Sequence, residues 1–363
     1  MPPTINGIFR DGKWSCGFDF TTTPLHIFDI VSGFPSMTGA VTRFGTGQSF
    51  IGSLTGVSGG YGSKTLNVNL PTIITGFAFR LGNLPSTPAL IASFFDTTAN
   101  AGQFSIGVTA QGRLQFYSGT WIGSATFTAL GPDSGQIKLN PGVWYYLEIK
   151  GTINSTTGLV ECRMNGNPSP IITFTGNTQS TANAYTNQLV LGGSGLQFTD
   201  WFDDWYVLDF STGNQSYLGD IRILTLVPSA DSATAGLNQF GTTPSQSAGN
   251  HFLNVDEIPP DDDTSYNADA TVNDRESYRT AGVTVTGGIQ FVNVWPRTRK
   301  DDAGSRSVAA TARSNSVDAI GNTVSEPSSY GYFNEVFQND PNTGVAWLQA
   351  GVNAAEFGLK VIS

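Results

Sequence analysis

From Thr72 onward apolar and polar positions alternate with a period of two along several short runs, IITGFAFRLG, LIASFFDT, QFSIGVTAQGRLQFYSG and VWYYLEIKGTINSTTGLVECRMNGNP, each broken at Gly, Asn or Pro. That period belongs to strands, and the breaks belong to tight turns. In VWYYLEIK, Val143, Tyr145, Leu147 and Ile149 share one face and Trp144, Tyr146, Glu148 and Lys150 the other, which predicts a half-buried strand. Turns at Asn154 to Gly158 and Asn165 to Asn167 fold it back onto LVECRM as an antiparallel hairpin. Such meanders bury their apolar face against a second sheet, so a two-layer sandwich is predicted.

The run TDWFDDWYVLDFSTG, Thr199 to Gly213, is denser. Alternation sets Trp201, Asp203, Trp205, Val207 and Asp209 on one side and Phe202, Asp204, Tyr206, Leu208 and Phe210 on the other. Bulk on both faces after Trp205 predicts a strand buried on both sides. Asp203 and Asp204 then stand at its entrance as structural carboxylates that accept N–H bonds from an adjoining loop. Beyond Gly213 the texture changes: a strand is predicted at Asp220 to Val227, then a polar run, then the acid-rich VDEIPPDDDTSYNADATVNDRE. Strands follow at GVTVTG, GIQFVNVWPRTR and SRSVAATARS, then a Pro-Asn-Thr-Gly turn, a helical turn around Asn353 to Glu356 and a last strand near Phe357 to Ile362. The reading is two domains, residues 1–213 and 214–363, with no internal repeat.

Composition sharpens the class without changing it. The 363 residues include 43 Gly and 24 Phe with only 13% charged residues, a balance that favours short strands and tight turns over amphipathic helices. The formal charge is -10, with most of the acidic excess after residue 213, so a general nucleic-acid role is excluded. Two cysteines, Cys16 and Cys162, are too few for a disulfide framework; either one bridge or two free thiols fits, and free thiols are favoured. The N-terminal run has no apolar signal core, and no stretch of 18 apolar residues occurs, so the expectation is a soluble chain without its own secretion signal or membrane insertion.

Candidate chemistry is sparse. Glycan hydrolysis by the retaining route needs two carboxylates about 5 to 5.5 Å apart, whereas Asp203 and Asp209 stand about 20 Å apart along an extended strand. Gly56 to Gly60 matches G-x-S-x-G, but a turn and a strand follow where a nucleophile elbow requires a helix, and only His26 and His251 could act as base. Asp261, Asp263 and Asp269 are weak candidates for a cation, lacking the curled loop that calcium needs. Arg297, Arg299, Lys300 and Arg306 read as a strand end with local ion pairs to Asp301 and Asp302. Tyr117, Trp121, Trp144 and Tyr145 could stack on a sugar ring, with Trp121 and Tyr117 the leading glycan contacts. No catalytic residue, cofactor or firm metal site is predicted.

The order of a GFAFR strand, the VWYYLEIKG hairpin, LVLGG and DDWYVLD over roughly residues 15–212 resembles the concanavalin A-like, laminin-G-type jelly-roll family. YLGDIRI, VPSAD, RKDDAGSR and DPNTGVAW resemble a region that follows such domains in structural proteins of tailed bacteriophages and prophages. The resemblance implies a concanavalin A-like antiparallel β-sandwich followed by a second β-rich domain. It further implies a non-enzymatic virion structural protein (fibre, spike or decoration) on the virion surface, made in the host cytoplasm. Its partners would be other virion proteins, its own copies as a trimer, and a host-surface glycan. The competing readings are a free carbohydrate-binding or glycan-hydrolysing protein of the lectin or glucanase type, and a bacterial adhesion module.

Overall fold

The computed structural model describes residues 12–17, 27–33, 36–53, 60–119, 126–192, 198–210, 216–242 and 250–363. The chain divides into two compact units, one ending at Leu224 and the other running from Thr225 to Ser363.

The first unit contains β1 (Lys13–Cys16), β2 (Ile30–Ser32), β3 (Ser36–Thr38), β4 (Ser49–Ser53), β5 (Tyr61–Leu70), β6 (Thr72–Leu81), β7 (Ala89–Asp96), β8 (Ala101–Val108) and β9 (Leu114–Ser118). It continues with β10 (Thr128–Ala129), β11 (Trp144–Thr152), β12 (Gly158–Met164), β13 (Ile172–Gly176), β14 (Thr186–Gly192) and β15 (Asp200–Asp209). One sheet runs β13-β12-β11-β6-β15-β4-β3, with β1 also paired to β15; the other runs β10-β9-β8-β7-β14-β5-β2. All pairings are antiparallel, and the two sheets form a jelly-roll β-sandwich, the concanavalin A-like class read from the sequence.

The inward face carries the alternating aromatic positions. Phe202 packs on Phe50, Phe77 and Phe79, Trp205 on Trp14 and Phe28, and Phe94 stacks on Phe104 at 4.2 Å. Phe202 and Trp205 are three residues apart, yet both point inward. A β-bulge explains this: Asp203 pairs with Ala78 and Tyr206 with Gly76, so Asp204 and Trp205 together oppose the single residue Phe77. Asp204 takes φ +49°, a conformation Asp tolerates better than bulkier residues. Strict alternation therefore fails at this point, and Trp205 and Val207 stand on the side of Phe202, while Tyr206 and Leu208 stand outward on the side of Trp201 and Asp203.

A second departure concerns β11. It was read as half-buried, but Tyr146 and Glu148 on its outer side are 0% and 1% exposed. Tyr217, Leu218 and Ile221 pack over Ile74, Ala78, Tyr146, Tyr206 and Leu208 and cover that side. Gly76 makes room there, since a Cβ at its position would stand 2.3 Å from Cε1 of Tyr206.

The second unit has a sheet of Pro228–Ala235, Arg275–Thr280, Glu356–Val361, Ser307–Ser314 and Val317–Ile320, with Val324–Ser325 also paired to Ser307–Ser314. Its core joins Ala312, Phe337, Trp347, Val352 and Ala355. The helix Gln349–Ala354 begins a few residues before the helical turn predicted at Asn353. Two predicted strands do not form. Asp220 to Val227 is extended without a sheet partner, its Ile223 amide and Ile221 carbonyl being engaged by Asp204 and Arg43. In GVTVTG, the amides of Val283 and Val285 bond to side chains of Asn353 and Gln349 in place of a neighbouring strand.

Candidate functional site

Trp144, Arg80 and Trp201 face one another across three neighbouring strands: Trp144 pairs with Arg80 in the β11-β6 ladder, and Arg80 with Trp201 in the β6-β15 ladder. Directly paired residues share a face, so the three side chains form one row on the outer side, opposite the inward Phe79 and Phe202. Each is half-buried. The Arg80 guanidinium lies 5.1 Å from the centre of the Trp201 ring. Glycines shape the surroundings: a Cβ on Gly82 would stand 3.0 Å from Cζ3 of Trp201, and Gly142 (φ +81°), in the turn that enters β11, lies beside Nη2 of Arg80. Arg80 makes no ion pair among the described residues, and its Nε is buried without a hydrogen-bond partner. One indole ring against a planar fork of N–H donors, with a second tryptophan paired to it on the neighbouring strand and packed at the edge of the Tyr146 cluster, is suited to a ligand with an apolar face and a wet, oxygen-rich edge.

Beside this row the same face is sealed. Tyr206 donates to Oε1 of Glu148 at 2.5 Å, and the Gly219 amide donates to the same oxygen at 2.8 Å. Burial, then the neighbouring Glu148, pushes the Tyr206 phenol well above its usual 10, so it keeps its proton as a donor. Asp204 accepts from the Ile223 amide and from Nη1 of Arg43, both at 2.7 Å, and Arg43 also reaches Asp220 and the Ile221 carbonyl. Burial raises the Asp204 carboxyl, opposed by the Ile223 amide and by Arg43. Asp203 accepts the Asp204 amide at 2.9 Å. Both carboxylates therefore lie in the middle of β15, at the bulge, and Asp204 ties the segment Tyr217 to Ile223 to the sheet.

The glycan contacts read from the sequence fare differently. Trp121 lies outside the described residues. Tyr117 is 4% exposed and packs with Leu90, Phe95, Val190 and Phe127, so its ring is an interior surface; burial raises its phenol to about 12. Trp144, named with them, does stand on an accessible row. Arg80 and Trp201 were missed, because their meeting depends on strand pairing between residues far apart in the chain; the one available signal was their place on the outward phase of their own strands.

The weak cation candidates have other partners. Asp261 accepts from the Ser265 hydroxyl, Asp263 from Arg299 at 2.6 Å and from Tyr330, and Asp269 from the Thr271 amide and Asn238. Among the described residues no group of three or more His, Cys, Asp or Glu side chains could hold a metal ion. The basic cluster is spent partly on this acidic run, Arg297 gripping Asp262 with two bonds, and partly on Asp302 through Arg306. Cys16 and Cys162 are buried and are not joined in a disulfide. Nδ1 of His251 lies 3.2 Å from Oε1 of the buried Glu276, while His26 falls outside the described residues.

No family model matches this chain, and no curated protein matches it. Solved structures with a similar fold include an endo-β-1,4-glucuronan lyase from the fungus Trichoderma reesei, at 15% identity and TM-score 0.40, covering 54% of this chain and 98% of that one. The cellulose-induced protein Cip1 is similar at 18% identity and TM-score 0.36, over 49% of this chain and 89% of its own. A Trypanosoma rangeli sialidase is similar at 11% identity and TM-score 0.32, over 48% of this chain and 26% of its own. The reading of a non-enzymatic virion structural protein, which rested on short sequence runs, is corrected: these three are two glycan-cleaving enzymes and a cellulose-induced protein, and none is a phage protein. At these identities and TM-scores the likeness describes the fold and transfers no activity to this chain.

Proposed function

We propose that this protein recognises carbohydrate, as a free protein of the lectin or glucanase type, through the row Trp144, Arg80 and Trp201. The observation that carries the reading is the pairing of two half-buried tryptophans across an unpaired guanidinium, beside the part of the sheet face that Tyr217 to Ile221 cover. Indole faces stack on the C–H side of a pyranose, and the guanidinium supplies hydrogen bonds to its oxygens. Buried Tyr117 does not contribute.

The test is calorimetric titration of a panel of soluble oligosaccharides, with a parallel assay for released reducing ends. Wild-type protein should bind at least one of them, and Trp144→Ala and Trp201→Ala should each weaken that binding by about tenfold or more, the scale of one lost stacking contact. Turnover that falls with the same substitutions would make the row a subsite of an enzyme. Equal affinity in wild type and both variants, or no binding at all, defeats the proposal.

A further inference from the structure

We infer that the sugar taken by this row carries a carboxylate, as a uronic acid or sialic acid does; the inference rests on the glycan-binding reading above. The argument starts from how this chain treats its other arginines. Arg43 faces Asp204, Arg113 faces Asp133, Arg275 and Arg313 share Asp318, and Arg297, Arg299 and Arg306 face Asp262, Asp263 and Asp302. In an acidic protein with 28 Asp and Glu against 18 Lys and Arg, carboxylates are in surplus, so an arginine left without one is not short of candidates. Arg163 and Arg222 also lack a carboxylate, and each has one aromatic ring over it, Tyr217 at 3.7 Å and Phe44 at 4.3 Å.

Arg80 shares a buried, unsatisfied Nε with Arg163 but differs from both in standing between two tryptophans of the neighbouring strands. A half-buried guanidinium loses part of its hydration and regains nothing from an ion pair, a destabilising arrangement unless a ligand completes it. The nearest carboxylate on the same face by sheet register is Asp203, a diagonal neighbour one pleat row away, about 7 to 8 Å between Cα atoms. Asp203 is 5% exposed and accepts the Asp204 amide. A guanidinium fork matches a carboxylate through two parallel N–H bonds, which a neutral hydroxyl cannot reproduce. An acidic sugar seated between the indoles would bring that carboxylate to Arg80, whereas a neutral sugar leaves the charge uncompensated.

Matched pairs of probes test this on the full chain: an oligoglucuronate against its carboxyl-reduced neutral counterpart, and sialyllactose against lactose, titrated at low and at moderate salt. The expected result is that at least one acidic member binds about tenfold or more tightly than its neutral partner, with the advantage shrinking as salt rises. Arg80→Gln should remove the preference, bringing the two members of the pair within about twofold, while its thermal unfolding and circular dichroism stay close to wild type. Arg80→Lys should retain only part of the preference, because an ammonium is a point charge without the fork. Neutral members binding as well as acidic ones would overturn the inference and leave the glycan reading standing. Failure of both members of every pair would overturn both, and an acidic preference that persists in Arg80→Gln would move the carboxylate contact to another residue and so refute the assignment.

Discussion

Asp204 combines three demands in one side chain: a positive φ, burial, and two charge-assisted or backbone hydrogen bonds. Removing its partner exposes how much this arrangement depends on pairing. Arg43→Ala leaves the carboxylate buried with only the Ile223 amide, and loss of one member of a buried pair costs about 3 to 5 kcal/mol. Urea unfolding should show a fall in the stability of the first unit of that order, lessened at acid pH, where Asp204 takes up a proton. Asp96 gives a separate pH prediction. Burial opposes its ionisation, but bonds from Asn183, Thr181 and the amides of Ala99 and Thr98 outweigh burial and hold its carboxyl below the usual 3.8. A depressed native pKa stabilises the fold above the unfolded value and loses that contribution as pH falls through the native value. Asp96→Asn should therefore be less stable than wild type at pH 6, and the gap should narrow below about pH 4; a gap independent of pH would contradict the account.

At the scale of elements, β15 is organised by its bulge. The extra residue turns Trp205 into the core beside Trp14 and Phe28 while Tyr206 goes outward to Glu148. Deleting Asp204 would restore simple alternation with Trp205 opposite Phe77 and Tyr206 opposite Gly76, so both side chains would keep their present faces and the bonds of Asp204 to Arg43 and the Ile223 amide would be lost. The expected outcome is a lowered but still cooperative thermal unfolding transition. The covering segment Tyr217 to Ile223 has no sheet partner, so its order depends on side chains beneath it. Hydrogen exchange should find the Gly219 and Ile223 amides protected in wild type. In the doubly substituted Arg43→Ala, Glu148→Gln protein they should exchange faster, while β7 and β8 keep their protection.

Over the whole molecule, each unit holds its own core, and each should respond to its own substitutions. Trp347 is 1% exposed and donates from Nε1 to the Phe337 carbonyl at 2.8 Å. Trp347→Ala should destabilise Thr225–Ser363 by about 3 to 5 kcal/mol and leave oligosaccharide titration of the first unit unchanged.

Period-two runs, Gly and Asn turns and the scarcity of charge made the sandwich and its hairpins legible from the sequence, because those signals act between neighbours along the chain. Trp144 could be named as a possible sugar contact for the same reason: it lies on the outward phase of a plain strand. Three features were decided only by tertiary structure. The bulge at Asp204 appears only when β15 is set against β6, since one strand alone shows unbroken alternation. The burial of Tyr146 and Glu148 depends on a segment about 70 residues later folding back across them. Arg80 and Trp201 stand 121 positions apart and meet only through strand register. Local pattern fixes which element a residue joins and which way it points, whereas a site made of residues from different strands exists only once the ladders bring those strands together.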